Sequence, residues 1–280
     1  MPVTAAHPDT EVATVHCPCP LTRNHEANPC LQCPARHWTI CHALPADELA
    51  LLESFKSGDR VCGPHVDIYQ QADELDELYT VVEGWLYLSK LLEDGRRQIT
   101  QIALPGDFIG YQANLARPVD HSARTLTPVR LCVFPRTKFL DFIRTHPELS
   151  IRLTWMIANY GELGRDRLLS VGRHTALERV AHFLLELFYR VRLRDPAPVG
   201  SSIKMPLTQE HIGDALGLTS VHVNRMVREL REANLVQVID QTLTVLNPDG
   251  LAEIAGFDED MMDRLLGEPD ASECRAQQEG

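Results

Sequence analysis

The stretch between residues 207 and 230 constrains the fold most strongly, because it has the pattern of two short helices joined by a tight turn. Thr208 is a favourable N-cap for the first helix, and Gly217 stands where a sharp turn needs a residue without a Cβ atom. Thr219 is placed to cap the second helix. Each helix has one apolar face, formed by Ile212, Ala215 and Leu216 in the first and by Val223, Met226, Val227 and Leu230 in the second. The stretch therefore predicts a helix-turn-helix.

The opposite face of the second helix suits contact with double-stranded DNA. Its residues are Ser220, Val221, Asn224, Arg225 and Arg228. The N-terminal part of this helix enters the major groove in helix-turn-helix proteins. Arg225 can donate two hydrogen bonds to guanine, Asn224 can pair with adenine or a phosphate, and Val221 can touch a thymine methyl group, whereas Arg228 suits a phosphate. The alternative is a solvated helix pair in an ordinary domain.

The flanking segments indicate a winged domain around these two helices. Residues 235–246 alternate between apolar and polar around Asp240 and Gln241, which predicts a short hairpin wing. Residues 176–190 predict a helix at the start of the domain, with Val180, Phe183, Leu184 and Leu187 on one face. The polar residues 194–202 then predict a loop inside the domain.

Length and charge limit the classes of protein that the chain can represent. Its 280 residues suffice for two domains, and its net charge of −12 disfavours indiscriminate binding to a polyanion. Neither a basic N-terminal start nor an apolar run long enough to span a membrane is present, so we expect a cytoplasmic protein without a membrane partner. In a reducing compartment, the eight cysteines are expected to be ligands or redox-active thiols rather than disulfides.

Three cysteines lie close together near the N-terminus and indicate a metal centre. Cys30, Cys33 and Cys41 form the pattern C-x2-C-x7-C, which can wrap three thiolates around one soft metal centre. A fourth donor is needed, and the candidates are Cys17, Cys19, Cys62, Cys132, Cys274, His37 and His42. An iron-sulfur cluster prefers a fourth cysteine and zinc also accepts a histidine; the remaining alternative is thiols that are bare or form disulfides.

Between residues 59 and 135 the pattern changes to short runs with a period of two, separated by turn residues. The clearest runs flank a hairpin turn at residues 93–95. An antiparallel β-roll, or jelly roll, is the expected fold. Metal-dependent enzymes of the cupin type share this architecture, but only His65 and His121 lie in the region and no H-x-H motif occurs. We therefore expect no enzymatic activity.

A long helix begins at His146 and carries an apolar seam with coiled-coil spacing. The seam consists of Leu149, Leu153, Met156, Tyr160 and Leu163. Gly161 and Gly164 weaken this helix in isolation, so a partner helix is expected to support it. The pattern predicts a homodimer across the seam; the alternative is a seam that packs only on its own β-roll.

These patterns predict an α+β protein with five parts. The expected divisions are a flexible tail (1–29), a cysteine loop with the β-roll sensor domain (30–145), a dimerisation helix (146–172), the winged helix-turn-helix domain (173–257) and a C-terminal tail (258–280).

The order of β-roll, dimer helix and winged helix-turn-helix resembles the Crp/Fnr superfamily of bacterial transcription regulators over residues 30–257. Residues 81–110 are similar to the sensor signature of the family's cyclic-nucleotide-binding-like β-roll. The cyclic-AMP-binding members hold the ribose with a glutamate and the phosphate with an Arg-Ser pair. Here Tyr111 and the pair His121-Ser122 occupy those positions. Because a histidine lacks the permanent charge that a phosphate needs, cyclic-nucleotide sensing is not expected.

The resemblance is greater to the oxygen-responsive Fnr branch, whose members carry an N-terminal cysteine cluster and one more cysteine on a late β-strand. Cys30, Cys33 and Cys41 match the first part, and Cys132 in the segment RLCVFP matches the second. The resemblance implies a 4Fe-4S cluster on these four cysteines that responds to oxygen or nitric oxide. It further implies a homodimer that binds a palindromic DNA site while the cluster is intact, with RNA polymerase as a second partner.

One departure from the family concerns the recognition helix. Family members carry the motif E-x-x-S/G-R, where this chain has Val221, Asn224 and Arg225. A half-site related to TTGAT or TGTGA only at the guanine is therefore expected, with thymine favoured near Val221. Two other functions remain open: a regulator of the same fold that senses haem, nitric oxide or another small ligand in the β-roll, and a zinc-stabilised DNA-binding protein without a redox response.

Overall fold

The computed structural model describes residues 17–22, 30–112, 117–194 and 201–257. Its first long segment begins with three 3-10 turns, at Cys30–Gln32, Arg36–Trp38 and Ile40–Ala43. Helix α1 follows, at Ala46–Phe55, with Pro45 as its N-cap. The three turns form a cysteine loop, residues 30–43, that lies between the β-roll and the long helix.

Two antiparallel sheets form the expected β-roll. The first sheet has the strand order β1-β2-β9-β4-β7 and the second has the order β3-β8-β5-β6. The strands are β1 (Leu21–Thr22), β2 (Gly58–Cys62), β3 (Asp67–Tyr69), β4 (Glu77–Glu83), β5 (Leu86–Leu91), β6 (Arg97–Ala103), β7 (Phe108–Ile109), β8 (Ser122–Thr125) and β9 (Val129–Pro135). The turn predicted at residues 93–95 does join β5 to β6. Strand β9 is central in its sheet, and its apolar residues are buried.

The long helix has its apolar seam against its own chain. It comprises Pro147–Arg173 (α3) and follows a shorter helix, Arg136–Thr145 (α2), that the sequence pattern did not reveal. Leu149, Leu153 and Met156 are buried in one core with the cysteine loop, and Tyr160 and Leu163 are partly buried. The five seam residues are thus wholly or partly buried against their own chain, and the surface of α3 that joins two protomers stays a prediction.

Part of the predicted N-terminal tail is held on the β-roll. Strand β1 pairs with β2, with Leu21 opposite Arg60 and Thr22 opposite Asp59. This pairing places Cys19 beside Cys62, and the two form a disulfide with a Cα–Cα distance of 5.4 Å. Residues 17–22, part of the expected flexible tail, are thus paired with the β-roll, and this pair of cysteines is present as a disulfide rather than as two thiols. Residues 1–16, 23–29 and 258–280 lie outside the described part of the chain.

The C-terminal part forms the expected winged helix-turn-helix. Its elements are α4 (Ala176–Arg194), β10 (Ser202–Lys204), α5 (Gln209–Leu216), α6 (Ser220–Glu232), β11 (Val236–Ile239), β12 (Thr242–Val245) and α7 (Pro248–Ala255). Asp240 and Gln241 both have positive φ in the turn between β11 and β12, as a tight two-residue hairpin turn requires. Strand β10 adds a third strand by pairing with β12.

The β-roll and the winged domain share one apolar core. Tyr87, Ile99 and Ile102 of the roll lie in the same buried cluster as Leu184 and Leu216 of the winged domain. The two parts therefore pack directly on each other. No helix in the described ranges is both long and apolar enough to cross a membrane.

Candidate metal centre and nucleic-acid interface

Four cysteines from two distant parts of the chain line one pocket. Cys30, Cys33 and Cys41 reach it from the cysteine loop, and Cys132 reaches it from β9. The space not filled by atoms is about 470 Å³, part of it open to solvent. The other lining residues are Thr39, Lys56, Thr80, Val82, Arg130 and Phe134. All four cysteines expected as ligands thus converge on one site.

Hydrogen bonds of the backbone hold the loop cysteines in place. The Cys33 N–H donates to the Cys30 carbonyl (3.3 Å), which closes the first turn of the C-x2-C segment. The Cys30 N–H donates to Glu53 Oε2 on α1 (3.1 Å), and the Cys41 N–H donates to Thr39 Oγ1 (3.1 Å). These bonds fix the backbone at both ends of the cysteine loop, one of them by attaching it to α1.

The four cysteines are free thiols, and the surroundings of Cys30, Cys41 and Cys132 favour the protonated form. Burial raises the pKa of Cys30 to about 11, that of Cys41 to about 12 and that of Cys132 well above its ordinary value. Bound metal reverses this preference, because a coordinating thiol is deprotonated. The site can therefore hold four neutral thiols together or four thiolates on a cationic centre.

The spacing of the sulfurs differs from that of a single tetrahedral ion. A zinc ion with bonds of about 2.3 Å requires its sulfurs to be less than about 4 Å apart. No three of these four described cysteines have their sulfurs all within 4.8 Å of one another. A cluster with several metal atoms holds its thiolate ligands further apart than a single ion does.

Two cations also line the pocket, and the sequence pattern did not indicate them. Lys56 Nζ lies 2.7 Å from Asp59 Oδ1, and Arg130 Nη2 lies 2.6 Å from Glu83 Oε1. Asp59 lies opposite Cys132 in the β2–β9 register. The strand pairing therefore places the Lys56–Asp59 ion pair next to the thiols. A thiolate-bound centre with net negative charge would be stabilised by both cations.

The other candidates for the fourth ligand lie elsewhere. Cys17, Cys19 and Cys62 belong to a separate buried cluster inside the β-roll. His37 and His42 contact each other, with ring centroids 4.7 Å apart, and neither lines the cysteine pocket. Cys274 lies outside the described residues.

The recognition helix has the two faces that its sequence predicts. Val223, Met226 and Leu230 are buried, whereas Ser220, Val221, Asn224, Arg225 and Arg228 are exposed, with Val221 at 79%. Thr208 and Thr219 cap the two helices, each accepting the N–H of a histidine three residues later.

A close approach of the two helices depends on a glycine that the sequence pattern did not single out. A Cβ atom on Gly213 would lie 2.5 Å from the Leu218 carbonyl oxygen. Only glycine therefore permits α5 to lie this near the turn, and Gly217 then ends α5 in the left-handed conformation. The sequence feature that could have indicated this contact is the pair Gly213 and Gly217, which lies between the capping residues Thr208 and Thr219.

In related β-rolls a cyclic nucleotide binds at the position that His121 has here. In this chain His121 contacts other side chains. His121 Nε2 lies 2.9 Å from the Tyr69 hydroxyl, and His121 Nδ1 lies 2.9 Å from Asp120 Oδ1. Asp120 also pairs with Lys90 at 2.7 Å. A carboxylate beside the histidine disfavours a phosphate at this position.

Comparisons with known proteins agree with both halves of this architecture. Residues 178–254 match the Crp-like helix-turn-helix domain, and residues 60–146 match the cyclic nucleotide-binding domain. The nitrogen fixation regulation protein FixK of Bradyrhizobium diazoefficiens is 33% identical over 81% of this chain and 93% of its own. The transcriptional activator protein FnrL of Cereibacter sphaeroides is 30% identical over 82% of this chain and 93% of its own.

A solved structure has the same fold. The structure of FixK2 from Bradyrhizobium japonicum superposes with a TM-score of 0.64 at 27% identity, over 70% of this chain and 96% of that one. Together with the relatives at 30–33% identity, these results show that the chain belongs to the Crp/Fnr family of DNA-binding transcription regulators.

Proposed function

We propose that this protein is a homodimeric transcription regulator that senses oxygen or nitric oxide through a 4Fe-4S cluster on Cys30, Cys33, Cys41 and Cys132. With the cluster in place it binds a palindromic promoter site and contacts RNA polymerase. Its role is regulatory rather than enzymatic.

The observation that carries this proposal is the convergence of the four thiols on one pocket. Cysteine thiolates are the usual ligands of a 4Fe-4S cluster, and four are required. The wide spacing of the sulfurs and the adjacent Lys56 and Arg130 suit a large, negatively charged centre. When bound, the cluster would supply an oxidation-sensitive connection between the cysteine loop and β9.

The cysteine loop is placed to transmit a change to α3. Ile40 and Leu44, on either side of Cys41, are buried in the same core as Leu149, Leu153 and Met156 of α3. Loss of the connection to Cys132 would free this loop, and α3 would lose part of the surface that holds it. The seam that we first expected to join two protomers thus supports the sensor contact.

A second set of contacts links α3 to the winged domain. The Tyr160 hydroxyl on α3 accepts the Phe108 N–H (3.0 Å) and donates to Asp107 (3.4 Å). Asp107 in turn pairs with Arg190 (3.3 Å) and Arg194 (2.7 Å) of α4. These buried charges fix the relative position of the roll, the long helix and the winged domain, so a shift of α3 reaches α4 directly.

The exposed face of α3 is the surface that we assign to the dimer. It carries Ile151, Thr154, Ala158, Gly161, Arg165 and Leu168, at alternating spacings of three and four residues. Ile151 is 49% exposed and Leu168 is 74% exposed. Ala158 and Gly161 between them allow two helices to approach closely. The dimer would then place two copies of α6 in successive major grooves about 34 Å apart.

The test is anaerobic purification followed by assays for iron and acid-labile sulfide and by a visible spectrum, repeated in air. We expect about four irons per chain and a charge-transfer absorption that bleaches in air. Cys132→Ser should lose most of the iron, whereas Cys17→Ser, a buried free thiol outside the pocket, should retain it.

Other results would assign the sensor differently. Colourless protein with one zinc per chain would support a zinc-stabilised regulator without a redox response. A Soret band without iron-sulfur absorption would support a haem sensor. Either result contradicts the cluster and leaves the family assignment intact.

A further inference from the structure

Three cysteines that the proposed cluster does not use lie together inside the β-roll. Cys17, Cys19 and Cys62 are 5%, 7% and 2% exposed, and their sulfurs all lie within 4.8 Å of one another. Cys19 and Cys62 form a disulfide. Cys17 keeps a free thiol whose sulfur is 3.8 Å from that of Cys62.

Contacts other than the disulfide hold the N-terminal segment at this place. Arg60 Nη1 donates to the Cys19 carbonyl (2.6 Å), and its guanidinium also pairs with Glu77 (2.9 Å). The Thr22 hydroxyl donates to the Asp59 carbonyl (2.9 Å), beside the β1–β2 pairing. The sulfurs of Cys17 and Cys19 therefore stay close to Cys62 when no bond joins them, and any reaction among the three is intramolecular.

We propose that Cys17, Cys19 and Cys62 form a second redox site, a reversible disulfide staple in which either Cys17 or Cys19 bonds to Cys62. The staple attaches residues 17–22 to β2. Since Cys17 and Cys19 are separated by one residue, both bonds fasten the same segment to the same strand. The two forms are interchangeable in their structural effect.

The exchange between the two forms needs no external reactant. The Cys17 thiolate attacks Cys62 Sγ, a Cys17–Cys62 bond forms, the Cys19–Cys62 bond breaks, and Cys19 leaves as the thiolate that takes up the proton released by Cys17. No net oxidation takes place. Burial raises the pKa of the Cys17 thiol, so the attacking thiolate is scarce at neutral pH and exchange should accelerate with rising pH.

Formation of the staple from reduced thiols does require an oxidant, and a small-molecule disulfide such as oxidised glutathione fits. The Cys62 thiolate attacks one glutathione sulfur and releases a glutathione thiolate. Cys19 or Cys17 then displaces the second glutathione from the mixed disulfide. Two protein thiols are oxidised, and one glutathione disulfide is reduced to two glutathiones.

The position of the staple gives it a consequence for the sensor. Thr22 is followed after seven residues by Cys30, the first cysteine of the pocket. Strand β2 carries Cys62 and pairs with β9, where Asp59 lies opposite Cys132. If the four thiols of the pocket lose a metal, an oxidised staple would therefore still keep residues 17–22 on the β-roll.

Disulfide mapping of the full chain tests the proposal without reference to the cluster. The protein is equilibrated with glutathione buffers of different potential, alkylated and digested with trypsin without reduction. Cys17 and Cys19 share the peptide 1–23 and Cys62 lies in the peptide 61–90, whereas the cysteines of the pocket fall in other peptides. We expect the two peptides to be linked in oxidising buffer and separate in reducing buffer.

Single variants distinguish a redundant staple from an ordinary disulfide. Cys17→Ser and Cys19→Ser should each retain the link between the two peptides, and Cys62→Ser should lose it. Oxidation should raise the melting temperature of Cys17→Ser, of Cys19→Ser and of the wild type. The melting temperature of Cys62→Ser should rise less. If Cys17 and Cys62 are both alkylated in oxidised Cys19→Ser protein, no bond joins them. That result would contradict the proposed exchange between Cys17 and Cys19.

The wild-type protein provides a measurement that does not depend on the folding of any variant. Fragmentation of the linked peptides between Cys17 and Cys19 shows which of the two is bonded to Cys62. Both species should be present after incubation at raised pH. A wild-type chain that stays unlinked in oxidising buffer, with zinc bound to three reduced thiols, would overturn the whole proposal.

Discussion

Arg97 on β6 of the β-roll forms an ion pair with Asp214 on α5 of the winged domain, with 2.6 Å between Nη2 and Oδ2. The Arg97 Nε–H also donates to Asp214 Oδ2 (2.7 Å), so two nitrogens of the guanidinium share one carboxylate oxygen. Next to it, Gln98 Nε2 donates to the carbonyl of Ala215 (2.9 Å). The β5–β6 hairpin thus binds the first helix of the helix-turn-helix. A movement of the β-roll would therefore displace the DNA-binding unit.

The first prediction concerns the strength of this contact. Both side chains are about one quarter exposed, and charge-assisted hydrogen bonds between arginine and carboxylate are stronger than neutral hydrogen bonds. We expect Arg97→Gln and Asp214→Asn each to lower the free energy of unfolding by about 1 to 2 kcal/mol, with strong coupling between them. A double-mutant cycle from urea denaturation measures the coupling.

Arg96→Gln is the matched control, since Arg96 is 77% exposed and pairs only locally with Asp94. It should change stability by less than about 0.5 kcal/mol. Equal losses for Arg96 and Arg97, or additive effects of the Arg97 and Asp214 variants, would contradict a specific contact between the domains.

The second prediction addresses DNA recognition by α6. Arg225→Ala should weaken binding to the specific site by about 10- to 100-fold, because a bidentate contact to guanine is lost. Arg231→Ala, in the last turn of the same helix, should have a much smaller effect. Binding is measured by fluorescence anisotropy at one fixed salt concentration. An unchanged affinity in Arg225→Ala would remove this residue from the interface.

The third prediction tests the sequence preference that Val221 confers. Val221→Glu should shift the half-site toward cytosine on one strand, because a glutamate accepts a hydrogen bond from the cytosine amino group and a valine cannot. Selection of binding sites from random DNA reports the preference of each protein. If the wild type already selects an unmodified TTGAT-N4-ATCAA, the role assigned to Val221 is incorrect.

The fourth prediction locates the dimer on the exposed face of α3. Ile151→Glu or Leu168→Glu should raise the dissociation constant of the dimer at least about tenfold, because like charges would meet across the seam. Leu91→Glu introduces the same charge at a leucine that is 54% exposed on β5 and should leave the dimer intact. Sedimentation velocity over a range of protein concentrations resolves the two states. Dimers of normal stability in both α3 variants would exclude this face.

The fifth prediction is a pH dependence that originates at His182. Burial lowers its pKa from the usual 6.5, with His174 and Arg167 acting in the same direction and Glu186 against it. The unfolded chain therefore binds the proton more readily than the folded one, and stability decreases as pH falls below about 6.5. His182→Gln should make the free energy of unfolding less dependent on pH between 7 and 5. His222→Gln, at an exposed histidine of α6, should retain the full dependence.

Local pattern was sufficient wherever a structural element depends on neighbours in the sequence. The caps at Thr208 and Thr219, the αL end of α5 at Gly217 and the two-residue turn at Asp240 and Gln241 all follow from the preferences of those residues. The division of α6 into a buried and an exposed face followed from helical periodicity. These features depend on residues that are close together in the sequence.

Periodicity could not show what covers an apolar face. The stripe that includes Leu149, Leu153 and Met156 was recognised correctly as apolar, but its partner is the chain's own cysteine loop. A hydrophobic stripe has the same appearance in sequence whether it is buried within one chain or between two. Exposure of Ile151 and Leu168 became visible only in the folded chain.

The sequence by itself determined the β-roll, the long helix, the winged helix-turn-helix, their order and the family, because these depend on local propensity and on motifs. The tertiary structure decided which cysteines meet: sheet register puts Cys132 opposite Asp59 and close to the loop, and it puts Cys19 beside Cys62. Register is set by long-range strand pairing, in which residues far apart in the chain become neighbours. Thiols have no local signal for their partner, so only the fold separates the four of the pocket from the three of the staple.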